Sequence, residues 1–417
     1  MKPYWSRGGA GLLYCLFLII LLVNLASAAS RGRSAAKKSP APELRSRSSP
    51  LGRSGLDHFY NMEYDRAIHD FELDVQQHPD DPFAANHLLS AVVFKELYRV
   101  GALDTELYAN QSFLSARQAE VDPKVRQWIR ELTDNALVLS ERRLQANPKD
   151  ADALYARGAT RATRALTTGL MDRSWFPALR SALGARHDHE RVLDLDPDYS
   201  DAKMVVGVDS YVVGSVSFPV KVAASMVGIS GSKQKGIQYL YEAAEGGGEA
   251  SVDAKIALSL FLRREQRYAA AIKLVGEMMS AYPKNFLFAL EYANLLAAAG
   301  HGPESIAAYR KLLANGRQGV YPDPRLGQAA WALGEALRGQ NDFPGAVQAY
   351  ESVASFPHPE PELLERANLA AGQMYDLLQH RDLAIRKYEQ VIATAADSPR
   401  AALARKYLKQ PYQLPKG

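Results

Sequence analysis

The chain has a single cysteine, Cys15, in 417 residues. The rest of the protein therefore has no disulfide and no thiolate chemistry to draw on. Long apolar runs are scarce too. Outside Ala10–Ala26 the most apolar stretch, Ser210–Gly236, is broken by Pro219 and Lys221, too soon for the roughly 20 apolar residues that a spanning helix needs. A charge excess of one sign is also lacking, since 50 basic residues face 46 acidic ones. What excess exists sits in a tail: Lys2 and Arg7 lie in residues 1–28, and seven basic residues stand against Glu43 in 29–54. The remaining residues are net acidic, which speaks against a nucleic-acid-binding body.

Catalytic signatures are missing as well. No G-x-S-x-G, H-E-x-x-H, C-x-x-C or EF-hand pattern occurs, so no catalytic residue, metal ligand or cofactor is expected, and the chain reads as no enzyme. "GISGSKQKG" (Gly228–Gly236) lacks the G-K-[ST] of a phosphate loop. In "RHDHER" (Arg186–Arg191) two histidines two residues apart point to different sides of a helix, so they do not share a metal, and the segment reads as a solvated face.

The N-terminus carries Lys2 and Arg7, the apolar run Ala10–Ala26 and a small-residue Ala26-Ser27-Ala28 site. That is the form of an export signal, or of an uncleaved membrane anchor, over residues 1–28. Residues 29–54, rich in Ser, Pro, Ala and Arg, read as a disordered basic linker. The linker either holds the body off the membrane or touches anionic lipid.

The body repeats itself. Ala67, Ala271, Ala346 and Ala384 are each followed four residues on by Phe71, Val275, Tyr350 and Tyr388, and a proline closes most of these segments (Pro79, Pro283, Pro357). The spacing places each pair on one helical stripe and the proline at its end. Pro148 and Pro197 close further segments, and Gly158, Gly207, Gly334 and Gly372 stand as small residues in the first helix of a unit. Long paired helices are expected over 82–148, with an insert at Thr167–Pro177.

On these residues the chain resembles the tetratricopeptide repeat (TPR) family, a 34-residue helix–turn–helix unit. Residues 55–251 read as irregular TPR-like repeats with inserts, 252–398 as regular repeats, and 399–417 as a capping helix and tail. The resemblance implies an all-α, right-handed superhelical solenoid of helical hairpins with no sheet. It also implies a concave groove lined by the first helix of each unit, which here includes Tyr155, Met204, Tyr211, Asn294, Trp331, Glu335, Arg338 and Gln373. A Lys/Asn/Arg clamp for a C-terminal carboxylate is not matched, because Leu290 and Ala332 stand at two of its positions. Residues 210–245 are partly similar to the tetratricopeptide repeat protein 39 and inclusion-body-clearance group. By its placement between Gly207 and Gly236 the stretch is an enlarged connection inside one hairpin, forming either core or a wall that touches apolar ligand or membrane.

The function these features imply is a non-catalytic scaffold of the bacterial cell envelope that binds a protein or peptide partner in its groove. It would be exported, and either periplasmic or anchored in the inner membrane facing the periplasm. The alternative is a carrier or tether that contacts lipid or apolar ligand through residues 212–229.

Overall fold

A computed structural model of the chain describes residues 48–103, 120–216, 221, 225, 230–357 and 359–414. The signal or anchor at 1–28, most of the basic linker and nearly all of the 217–229 insert lie outside the described residues. Among the described residues there are helices and turns and no strand. The helices fall into two compact units, one up to Glu265 and one from Gln266 onward.

The first unit contains α1 (Pro50–Tyr60), α2 (Tyr64–Gln77), α3 (Pro82–Arg99), α4 (Pro123–Ala146), α5 (Ala151–Leu170), α6 (Trp175–Leu195), α7 (Ser200–Ser215), α8 (Lys233–Glu245) and α9 (Ser251–Arg264). Each packs on the next along the chain, and α3 also packs on α5, as α7 does on α9. The second unit contains α10 (Tyr268–Ala281), α11 (Phe286–Ala298), α12 (Gly302–Arg317), α13 (Leu326–Gly339), α14 (Phe343–Ser352), α15 (Pro361–Leu377), α16 (Arg381–Thr394) and α17 (Pro399–Lys409). Sequential packing recurs there, with α13 also touching α15. Serial helical hairpins of this kind are the TPR-like arrangement that the repeat pattern predicts.

Local chemistry starts and stops these helices. Ser49, Asp81, Asp122 and Ser398 cap their N-termini by accepting backbone N–H bonds, and each is followed by a proline in the first helical turn. The side chain satisfies an orphan donor, and proline needs none there. Turns between helices repeat a left-handed residue: Met62, Gln266, Asn341 and Gln379 have φ between 57° and 62°, and Gly300 has 81°.

The small residues do what close helix approach requires. A Cβ on Gly55 would meet the Phe71 ring at 2.4 Å, one on Gly334 the Tyr350 ring at 2.4 Å, and one on Gly372 the Tyr388 ring at 2.6 Å. In α7 and α8, a Cβ on Gly236 would come within 2.6 Å of the Gly207 carbonyl oxygen. Ala67, Ala271, Ala346 and Ala384 are fully buried at the corresponding place on the second helix.

Three expectations are corrected. The basic linker does not run to residue 54: α1 begins at Pro50 and Ser48 is already buried. Counting back from Ala67 and Phe71 puts Gly55 at the close-contact site of a first helix, so residues 48–54 are the opening turns of a repeat. Thr167–Pro177 is no insert, since α5 continues to Leu170 and α6 starts at Trp175. "RHDHER" is only half solvated. His187 is exposed, but Asp188 and His189 are fully buried between α5 and α6. There Asp188 pairs with Arg157 and Arg161, at 2.7 Å each.

Candidate partner-binding face

In the first unit the inner face is filled by the chain itself. Tyr155, Met204 and Tyr211, expected to line an open groove, are all 0% exposed. The Tyr155 ring stacks on Tyr199 at 5.2 Å and on Phe83 at 6.2 Å, and His189 meets it edge-on at 5.1 Å. Tyr211 stacks on Phe261 at 3.8 Å, and its hydroxyl donates to Glu265 Oε1 at 2.7 Å. Met204 lies in α7, where every residue from Ser200 to Gly214 except Lys203 is buried. A helix apolar on all sides goes inside. These three residues are core.

The closure of that face is polar. Backbone N–H of Ser48 donates to Glu249 Oε1 at 3.1 Å, and His87 Nε2 lies 3.1 Å from Glu249 Oε2. Ala250 N–H donates to the buried Asp201 at 3.1 Å. Asp253 is buried beside Tyr60 and Asp201. Burial holds its carboxyl well above the usual range, against the pull of the nearby Tyr60 hydroxyl in the other direction. Burial likewise pushes the Tyr155 phenol well above its ordinary value, with Asp201 adding to the effect. The sequence signal for this cluster was present in Asp201 and Asp253, each near the start of a first helix, but nothing in the spacing said that these starts converge.

The ends of the 217–229 insert are pinned. Arg186 pairs with the buried Asp209 and donates to the Ser230 carbonyl at 3.0 Å. Ser210 and Ser232 exchange hydrogen bonds at 3.1 and 3.2 Å. Val212 and Val213 before it are buried; Val222–Ala224 and Met226–Ile229 lie outside the described residues.

The second unit differs. Asn294 is buried and accepts the Tyr309 hydroxyl at 2.7 Å, so it holds the hairpin together instead of facing a partner. Trp331, Glu335 and Arg338 on α13 and Gln373 on α15 remain half-buried or exposed. Trp331 has the Tyr350 ring 5.2 Å away and the Arg366 guanidinium over its ring, 4.5 Å from the centroid. Such a cation over indole is an attractive contact. Glu335 accepts the Tyr350 hydroxyl at 2.5 Å and lies 3.6 Å from Arg338. Burial works against the charge of Arg338, but Glu335, Tyr350 and Tyr412 together outweigh it and its pKa rises. Burial raises the Tyr350 phenol strongly, and Glu335 raises it further.

One residue pair on this face extends the pattern. Tyr388 of α16 reaches Asp376 of α15, donating to Oδ2 at 2.8 Å, while Arg381 holds Oδ1 at 2.8 Å. So the buried tyrosine of three successive hairpins (Tyr309, Tyr350, Tyr388) donates to a polar residue on the first helix (Asn294, Glu335, Asp376). Among the described residues no group of three or more His, Cys, Asp or Glu side chains is placed to hold a metal ion. No described helix is long and apolar enough to cross a membrane.

No family model matches the chain, and no curated protein matches it. Solved structures with similar folds include YrrB, a TPR protein with an unusual peptide-binding site, at 12% identity, covering 52% of this chain and 97% of that one, TM-score 0.35. Yeast Tom70 matches at 13% identity over 86% of this chain and 94% of its own, TM-score 0.38. The human IFIT1 dimer with m7Gppp-AAAA matches at 12% identity over 97% and 88%, TM-score 0.40. At these values the likenesses carry no argument about what the chain binds. What its own helices establish is an all-α fold of TPR-like helical hairpins.

Proposed function

We propose that the chain is a non-catalytic scaffold that binds a protein or peptide partner on the inner face of its second unit. The observation that carries this reading is the contrast between the units. Tyr155, Met204 and Tyr211 are sealed, whereas Trp331, Glu335, Arg338 and Gln373 stay within reach of solvent. An aromatic flanked by charged groups of both signs suits a peptide that brings an apolar side chain and its own polar backbone. The apolar run Ala10–Ala26 with Ala26-Ser27-Ala28 supports export to, or anchoring in, the bacterial envelope. The similarity of 210–245 to the tetratricopeptide repeat protein 39 group belongs to this reading as a shared connection between two helices of one hairpin.

The test is photocrosslinking in cells from a reactive residue placed at Gln373, with mass spectrometry of the captured species and of the protein's own N-terminus. A stoichiometric partner crosslinked there, absent when the reactive group sits on the exposed His187, is the expected result. Equal capture from both positions, or none, sinks the reading. An N-terminus at Ala29 identifies a cleaved signal, and an intact Met1 an anchor.

A further inference from the structure

The C-terminal segment does not leave the molecule after α17. Arg381 donates to the Tyr407 and Leu408 carbonyl oxygens at 2.7 and 2.8 Å, closing the end of that helix. Gln410 then turns extended, with φ −139° and ψ 117°. The chain comes back onto α15, where Tyr412 N–H donates to Asp376 Oδ2 at 2.7 Å. The Asp376 side chain is 1% exposed and is fixed from behind by Tyr388 and Arg381, so it is a rigid acceptor for a backbone donor. The Tyr412 ring meets Tyr407 edge-on at 5.3 Å, and its phenol lies in electrostatic reach of Arg338 on α13. Arg338 and Asp376 occupy the same place on successive first helices, so Tyr412 bridges two units of the face on which Trp331 and Gln373 lie. The flanking residues hold little: Pro411, Gln413 and Leu414 are exposed.

We propose that Gln410–Leu414 is an intramolecular ligand of this face, and that the external partner is an extended peptide carrying an aromatic residue, whose backbone N–H takes the place of Tyr412 on Asp376. This rests on the reading that the second unit binds peptides. An extended segment lying against helices has no backbone bonding of its own, so a buried carboxylate reading one N–H and a cation beside an aromatic side chain are the recognition elements. The tether gives the tail a high effective concentration at its site, so a free peptide competes against it at a disadvantage even when its own contacts are as good. A tail held by one backbone bond and one ring is displaced by a partner that also engages Trp331. The face is thereby biased towards longer ligands.

The experiment uses a fluorescent peptide with the sequence KQPYQLPKG and measures its anisotropy with the full chain, with the chain ended at Lys409, and with the full chain carrying Tyr412→Ala. The shortened and Tyr412→Ala chains are expected to bind the peptide at least about tenfold more tightly than the full chain. Adding Arg338→Glu to Tyr412→Ala should abolish that gain, with the thermal melting curve unchanged. Equal affinity for the full and Tyr412→Ala chains, no binding by either, or insensitivity to Arg338→Glu overturns the proposal. The Tyr412→Ala chain decides the matter if the shortened chain melts early, because it keeps the length and the backbone of the tail. Partner capture at Gln373 without peptide binding overturns the tail inference alone; loss of both overturns the scaffold reading with it.

Discussion

Ser48 and Glu249 are 201 residues apart in the chain, and the backbone N–H and the hydroxyl of Ser48 both donate to Glu249 Oε1. The bond joins the residue before the Ser49 cap of α1 to the turn before the ninth described helix, and His87 on α3 meets the second oxygen of the same carboxylate. Glu249→Ala should therefore cost about 1–3 kcal/mol, the range for stranding buried donors. Hydrogen exchange should accelerate at the amides of residues 48–53 and leave the second unit as it was. Unchanged exchange there would mean that the bond does not hold the end of the first unit in place.

A pair of glycines in one helix separates packing from propensity. Gly334 has the Tyr350 ring 2.4 Å from where a Cβ would stand, while Gly339 has nothing within 4 Å. Gly334→Ala should destabilise by about 1–3 kcal/mol, the usual range for overpacking. Gly339→Ala should stabilise by about 0.5 kcal/mol, by restricting the unfolded chain. Urea denaturation of the two variants measures both, and a shared sign would contradict the helix contact.

Asp209 ties stability to pH. Burial pushes its carboxyl up to about 6 against the opposing pull of Arg186, with Glu190 raising it further. The folded protein therefore holds this proton more tightly than the unfolded chain does. The contribution to stability is full below the unfolded value near 4 and is lost as pH rises to about 6. Relative to Asp209→Asn, the wild type should lose stability across that window and run parallel to the variant above it. A difference that does not change between about pH 4 and 7 would show that folding does not raise the Asp209 carboxyl.

Tyr155 is 0% exposed, and its hydroxyl oxygen has no hydrogen-bond partner among the described residues. Removing a buried, unsatisfied hydroxyl relieves its desolvation cost, so Tyr155→Phe should be neutral or stabilise by up to about 1–2 kcal/mol. It should leave partner capture at Gln373 unchanged. A large loss of stability would reveal a partner for the phenol.

The repeat was legible because its signals are local. A small residue in one helix and a ring or branched side chain in the next must coincide wherever two helices pack closely, and Gly334 with Tyr350 or Gly372 with Tyr388 carry that condition in their spacing. The first repeat was equally written in Gly55, Ala67 and Phe71, but the Ser, Pro and Arg content before residue 55 masked it. Pro50 opens a helix there by following the Ser49 cap.

The candidate face was only half legible. Periodicity identifies which side of each first helix points inward, and Tyr155 and Trp331 answer to that rule equally. Whether the inward side is open depends on how far successive hairpins rotate and on what returns to cover them. Both are sums over many contacts that leave no mark on a single helix. The Asp376–Tyr412 bond is of the same kind, formed between segments that no local pattern relates.

By itself, then, the sequence determined a helical-hairpin repeat with an apolar N-terminal run and no catalytic pattern, since helix period, caps and small-residue contacts act over a few residues. Only the tertiary structure decided that the inner face of the first unit is sealed, by Ser48 and Glu249 together with Tyr155 and its neighbours. It alone decided that the second unit keeps Trp331 and Arg338 accessible beside a returning tail. Burial is a property of everything that packs around a residue, and that is fixed when distant parts of the chain meet.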